Sequence, residues 1–410
     1  MGVLGFAALL GVAFLCSEDR RRIPWRTVIA GLALQLALAL LLIDFAPARS
    51  VVLLLNAAAA ALQAATDAGT SFLFGYLGGN ALPFAETRPG GSIILAFKIL
   101  PLVLVISALS SLLFHWGVMQ RVTAGFAWLL RRSMGIDGAL ALAAAVHIFV
   151  GMVEAPLLVR PYLARMQRGE LFAVMTCGMA GVAGTVMVIY ATVLGPVIPN
   201  ALGTILVASV ISTPAALAVG ALMVPFGPGD AVAQAFAPRE RALSSLEAIV
   251  RGTAEGVGPL VGITTTLLVT ISLVALLNMA LAALPLGGEA MTLQRLFAYP
   301  FRPVMWLIGI PWHETQTAAL LMGTKTVLNE FVGYLGLAAL PPGALSPHSS
   351  VVMTYAMCGF ANFGSLGILI GGMGAMAPER RADIVALGLR SILSGTIATC
   401  LSGALAGLLT

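Results

Sequence analysis

Two glutamates stand inside otherwise apolar runs: Glu154 in "HIFVGMVEAP" (147–156) and Glu330 in "GTKTVLNEF" (323–331). An ionisable group within a membrane span is expensive unless it faces a cavity or a partner, which makes both carboxylates candidates for function. Asn362 and Ser365, with Phe360, lie in the glycine-rich stretch "GFANFGS" (359–365) and add an amide and a hydroxyl. Carboxylates that accept, beside an amide that accepts and donates, suit a polyhydroxylated solute. The plainer alternative is structural: a buried Glu caps a hairpin helix or ties down its tip by accepting from backbone N–H groups.

Other polar residues carry less. His313-Glu314 begins like a zinc-protease motif, but position 317 is Thr, so the second histidine is missing and no metal site is expected. Lys98 and Lys325 sit in apolar surroundings and are expected to snorkel or pair with a carboxylate. The four cysteines are scattered without metal-ligand spacing and read as small core hydrophobes. No catalytic residue and no cofactor is indicated, and the chain is not expected to be an enzyme.

The elements that must hold these groups are membrane helices. Only 10% of the 410 residues are charged and 59% are hydrophobic, with a mean hydropathy of +1.00. A soluble domain carries charge on about a quarter of its residues. The net charge of +5 does not point to nucleic acid, because the basic residues fall in short loops between apolar runs, where the positive-inside rule accounts for them. The reading is an all-α polytopic membrane protein in the lipid bilayer of the cell (cytoplasmic or inner) membrane.

Eight spans are expected, at roughly 3–15, 26–45, 92–115, 170–195, 200–225, 257–285, 349–375 and 383–408. Arg20, Arg21, Arg22 and Arg26 put the first loop in the cytoplasm and both termini outside. Arg121, Arg131, Arg132, Arg160, Arg165, Arg168, Arg239, Arg241, Arg251, Arg380 and Arg381 then also fall on the cytoplasmic side.

Two regions resist reading as plain spans. Segment 135–168 is interrupted by Gly151, Glu154 and Pro156, and segment 291–337 by "GIPWHE" and "GTKTVLNE". Each must begin and end on one side to keep the arginine pattern, so each is expected to be a re-entrant hairpin. The spans that follow, 170–195 and 349–375, are expected to unwind at "GMAGVAG" (178–184) and at 359–365. Stretches 50–66 and 239–252 are expected to lie along the membrane surface.

The two irregular regions repeat each other. Glu154 aligns with Glu330, Tyr162-Leu163 with Tyr334-Leu335, and "VMT" recurs at 174–176 and 352–354. Because the hairpins enter from opposite sides, the repeats are inverted. Inverted repeats, broken helices and midplane polar groups together mark a secondary transporter.

On these residues the chain resembles the concentrative nucleoside transporter family. "FKILPLVLVISALSSLLFHWGVMQ" (97–120), "EAPLLVRPYL" with "ELFAVMTCGMA", "GTKTVLNEF" and "TYAMCGFANFGSLGILIGGMGAMAP" (354–378) follow its pattern in order. The resemblance implies eight spans, two opposed hairpins, interfacial helices, a homotrimer, and a transport domain that slides like an elevator against a scaffold. It implies ribose recognition by Glu330, Asn362 and Ser365. It places the first tip, Gly151, Met152, Val153 and Glu154, at the base end.

The first half departs from the family. Its usual tip, Gly-Gln-Thr/Ser-Glu, is here Gly151-Met152-Val153-Glu154, so both polar base readers have become apolar. A less polar or differently modified base suits such a tip. The family's sodium ligands include an Asn and a Thr where this chain has His147 and Gly181, beside the carbonyls of Val150 and Val182. The expected coupling ion is therefore H+ rather than Na+, through His147, with Glu154 as a second candidate. Uncoupled transport with a neutral core histidine, and sodium use through other ligands, stay open.

The expected organisation is N-terminal spans and an interfacial helix (1–91), a scaffold span (92–134), the first hairpin and broken span (135–195), scaffold spans and an interfacial helix (196–290), the second hairpin and broken span (291–375) and a C-terminal span (376–410). The leading function is secondary transport of nucleosides or ribosylated nucleoside-like solutes. The alternatives are uptake or export of a modified nucleoside or a nucleoside-like natural product, or a membrane sensor that binds without moving its ligand.

Overall fold

A computed structural model describes residues 2–44, 46–85, 92, 94–227, 242–283 and 290–410; Arg239 and Arg241, predicted to be cytoplasmic, lie outside the described residues. The first third contains α1 (Gly2–Leu15), α2 (Trp25–Ala39), α3 (Ala46–Phe74), α4 (Leu95–Lys98), α5 (Leu102–His115) and α6 (Val118–Met134). Then come α7 (Gly138–His147), α8 (Glu154–Leu158), α9 (Arg160–Leu163), α10 (Arg168–Ala180), α11 (Gly184–Leu194) and α12 (Ala201–Met223). The second half holds α13 (Ser245–Ala282), α14 (Leu293–Leu307), α15 (Thr315–Val327), α16 (Glu330–Ala338), α17 (Pro347–Met357), α18 (Phe363–Met376) and α19 (Arg381–Leu409). No strand occurs among the described residues, so the all-α reading holds.

Two long apolar segments are each split in two. Gly181 leaves the helical region at φ −121°, ψ 172°, which ends α10 before α11 begins. Asn362 does the same before α18, and its side chain accepts from the N–H of Ser365 at 2.7 Å, capping the new helix. The two breaks touch. Phe360 donates its backbone N–H to the carbonyl of Gly181 at 3.2 Å, and a Cβ on Gly359 would lie 2.7 Å from the carbonyl oxygen of Met179. Only glycine allows the two backbones this close.

Each broken helix is preceded by a helix–break–helix unit. α7 is capped by Asp137, which accepts from Ala139 N–H at 2.7 Å, and it ends at His147, six residues short of α8 at Glu154. Phe149, in that gap, accepts a hydrogen bond from Gly184 N–H at 3.1 Å, fastening the unit to α11. α15 and α16 are separated by Leu328 and Asn329. They run antiparallel: a Cβ on Gly333 would lie 3.3 Å from Lys325 Cβ, and one on Gly336 would lie 3.0 Å from Leu321 Cδ2. Glu154 and Glu330 occupy the same place in the two units, each the first residue of the returning helix.

Several expected boundaries move. Segment 291–337 is not one hairpin: α14 is a further amphipathic helix packed closely on α15, where a Cβ on Gly323 would lie 2.4 Å from the carbonyl oxygen of Gln294, and α15 with α16 forms the helix–break–helix unit. Residues 50–66 lie within the single helix α3. The described part of 239–252 is the start of α13, which runs on through Pro259 for 38 residues. At ~1.5 Å per residue that is roughly 57 Å, well beyond a hydrocarbon layer of ~30 Å, so one end of α13 must project past it.

Packing assigns α12 and α19 to the broken helices. α12 lies against α2, α10, α11 and α19, and α19 lies against α10, α17 and α18. In the most apolar stretch of α12, 94% of residues are buried, against 6% in α13, although their hydropathies are nearly equal. α12 is therefore a core helix and α13 a peripheral one. α13 pairs with α5 through Gly252 and Gly256, where an added Cβ would lie 2.5 Å from Ser111 Cβ and 2.9 Å from Ser107 Cβ. Close approach through small residues is how helices associate in lipid.

One end of the bundle is tied by charge. Glu18 meets Arg168 at 3.3 Å and Arg390 at 2.6 Å, Arg168 also pairs with Asp383, and Arg380 donates to the carbonyls of Ala164 and Met166. The loop after α1, the residues before α10 and the start of α19 thus share one end.

Candidate substrate-binding site

The first candidate carboxylate, Glu330, is 4% exposed and opens α16 beneath the crossing of the two breaks. Tyr190, from α11, donates its hydroxyl to Glu330 Oε1 at 2.6 Å, and Asn362 donates its Nδ2 amide to Oε2 at 3.0 Å. Asn362 is doubly used, since its Oδ1 also caps α18. A carboxylate offers about four lone-pair directions and two are taken, so Glu330 can still accept from a ligand. Asn329 caps α16 by accepting from Val332 N–H at 3.0 Å. Both of the asparagines therefore hold helix ends at the place where helices stop.

These groups line one end of a cavity of about 210 Å³ that also takes in Ser365, Phe331 and Phe360. The opposite end is formed by Gly151, Met152, Val153 and Glu154, with Leu100, Val186, Ile189, Pro259, Ile263 and Ile368 between. The two unit tips thus line one mostly apolar cavity. Tyr190 packs against two rings of α16, with Phe331 at 5.8 Å and Tyr334 at 5.3 Å between centroids.

The first tip is seated by glycines on its neighbours. A Cβ on Gly372 would lie 2.7 Å from Val153 Cγ1, and one on Gly178 would lie 3.3 Å from Met152 Cβ. Met152 is buried and Val153 half-buried. Glu154, by contrast, is exposed to the cavity and makes no hydrogen bond or ion pair among the described residues.

The residues expected to serve ion coupling also come together. His147 is 4% exposed, and its Nε2 has no hydrogen-bond partner among the described residues. Its Cε1 would lie 3.4 Å from a Cβ on Gly178, and its carbonyl oxygen 3.7 Å from one on Gly181. Val150 lies in the α7–α8 gap and Val182 in the α10–α11 break, on either side of the same contact.

This arrangement can be placed among known proteins. The family model "Na+ dependent nucleoside transporter N-terminus" matches residues 4–77, "Nucleoside recognition" matches 96–197, and "Na+ dependent nucleoside transporter C-terminus" matches 204–407. The chain is 35% identical to the uncharacterized transporter YutK of Bacillus subtilis, over 99% of this chain and 98% of that one. It is 32% identical to the nucleoside permease NupC of Helicobacter pylori, over 99% of this chain and 96% of that one. The chain belongs to the concentrative nucleoside transporter family.

Solved structures agree. The transporter CNTnw in an inward-facing substrate-bound state superposes with a TM-score of 0.90 at 34% identity, covering 100% of this chain and 97% of that one. A CNTnw variant in its intermediate 1 state superposes equally closely, with a TM-score of 0.91 at 34% identity over 100% of this chain and 99% of that one. Concentrative nucleoside transporters are carriers, not enzymes.

Sequence reasoning missed Tyr190, the strongest single partner of Glu330. A tyrosine in "VMVIYATVL" carries no local signal of its own, and only the tertiary fold brings α11 to α16. Lys325 was expected to snorkel or to pair with a carboxylate. It is wholly buried and its Nζ makes no hydrogen bond among the described residues, so no direct pair forms.

Proposed function

We propose that this chain carries nucleosides or closely related ribosylated solutes across the cell membrane, with the sugar at Glu330, Asn362 and Ser365. The observation that carries the reading is the pairing of Glu330 with Tyr190 and Asn362 in a cavity that both unit tips line. Vicinal hydroxyls donate to the free lone pairs of Glu330, and Ser365 supplies a hydroxyl beside them. Gly151, Met152, Val153, Glu154 and Phe360 border the remainder of the solute.

Movement follows an elevator: the two helix–break–helix units and broken helices travel with α12 and α19, while α5 and α13 stay fixed. The apolar, mostly exposed flank of α13 is where lipid and neighbouring copies in a homotrimer would contact the chain. Both termini face outward, which leaves the Glu18–Arg168–Arg390 end in the cytoplasm.

Coupling is to protons rather than sodium. Na+ is held by oxygen, and this chain offers an imidazole at His147 and no side chain at Gly181, leaving the carbonyls of Val150 and Val182. His147 is buried, and its Nε2 has no hydrogen-bond partner among the described residues, which leaves a ring nitrogen free to take a proton. Counterflow in proteoliposomes tests transport, and repeating it with a pH gradient or a Na+ gradient separates the two ions. Na+-driven accumulation with no response to pH would overturn proton coupling.

A further inference from the structure

We infer that Glu154 makes this site select nucleobases that present two adjacent N–H donors on one edge, the guanine class. This rests on the proposed reading of the cavity as a nucleoside site. Glu154 is the polar side chain that the first tip contributes to the cavity, and it has no protein partner among the described residues. Met152 and Val153 beside it offer no side-chain donor or acceptor, and Val186, Ile189 and Ile263 supply apolar surface for the faces of a base.

The edge chemistry decides the class. A carboxylate only accepts, and it accepts best from two parallel donors. Guanine offers N1–H and the exocyclic amine side by side. Hypoxanthine offers N1–H alone. Adenine and cytosine set an amine beside a ring acceptor, which faces the second carboxylate oxygen with no hydrogen between them. Uracil flanks its single N–H with two carbonyls, and both would be left without a donor at an apolar tip.

Gly151 leaves the room that the carboxylate occupies. Glu154 Oε2 lies 2.2 Å from where a Cβ on residue 151 would sit, so the carboxylate rests directly over the glycine. Gly151 is outside the positive-φ region, so alanine fits the backbone there and the flexible carboxylate is what must move. Gly151→Ala thereby displaces the acceptor pair without removing its charge.

The experiment is a binding panel on the purified full chain with guanosine, inosine, adenosine, cytidine and uridine, repeated on Glu154→Gln and Gly151→Ala. Guanosine is expected to bind on the order of ten-fold more tightly than uridine, with inosine between. Both variants should lose that preference while still binding ribosides. Uridine binding as tightly as guanosine, or a guanosine preference that survives in Glu154→Gln, would overturn the inference and leave the nucleoside reading standing. Failure of all five ligands, together with no effect of Glu330→Gln on binding of free ribose, would instead overturn the nucleoside reading and the inference with it.

Discussion

The hydroxyl of Tyr190 lies 2.6 Å from Oε1 of Glu330, and the two residues come from opposite halves of the chain. This contact joins α11 to α16, so the buried carboxylate of one half is oriented by the broken helix of the other. Tyr190→Phe removes that donor and keeps the ring that packs against Phe331 and Tyr334. A hydrogen bond to a charged group is worth about 1.5–3 kcal/mol. Nucleoside binding, measured by calorimetry, should weaken by roughly ten-fold or more. Unchanged or tighter binding would show that the tyrosine does not set the carboxylate's geometry.

Lys325 is wholly buried without a hydrogen-bond partner, one helix break away from Glu330. We expect its charge to offset that of Glu330 across the break. Lys325→Met alone then leaves Glu330 without that compensation, at a cost below the about 3–5 kcal/mol of breaking a direct buried charge pair. Glu330→Gln should accordingly cost less in the Lys325→Met background than in the natural chain. Thermal unfolding of the two single variants and the double variant in detergent measures that coupling. Strict additivity would separate the two charges.

His147 and Gly181 are within contact distance, and Gly181 has extended backbone that any residue adopts. A Cβ there would lie 3.7 Å from its nearest neighbours, so a side chain fits. The pair His147→Asn with Gly181→Thr supplies two side-chain oxygens there. It should introduce Na+-stimulated nucleoside uptake and abolish the response to a proton gradient. Uptake that stays indifferent to Na+ in the double variant would place the coupling site elsewhere.

Gly372 receives Val153, and a Cβ at that position would come within 2.7 Å of the valine's Cγ1. Gly372→Ala should lift the first tip and slow transport several-fold, while riboside binding at Glu330 is retained. Equal loss of binding and transport would mean that the two ends of the cavity are not separable.

The sequence made the breaks legible because glycines at 178–184 and 359–365 interrupt apolar runs that would otherwise be ordinary spans. Glu330, Asn362 and Ser365 were visible for a related reason, as polar residues where lipid allows none without a role. The grouping of helices was not legible. α12 and α13 have hydropathies of 2.1 and 2.3, and hydropathy alone does not reveal that one is surrounded by protein and the other is not. Pro259 reads as a helix boundary, yet α13 continues through it. Tyr190 was invisible because its partner is 140 positions away in the chain. The two-fold job of Asn362, donor to Glu330 and cap of α18, likewise exists only once the second break has formed.

Proton-coupled nucleoside transport through the cavity at Glu330, as proposed, can be read out by a single uptake assay. Labelled guanosine uptake into proteoliposomes is followed in Na+-free buffer under an inward proton gradient, for the natural chain and for Glu330→Gln. The natural chain should accumulate guanosine above equilibrium, a protonophore should abolish that accumulation, and Glu330→Gln should show little uptake. Accumulation that requires Na+, or that persists unchanged in Glu330→Gln, would contradict the account.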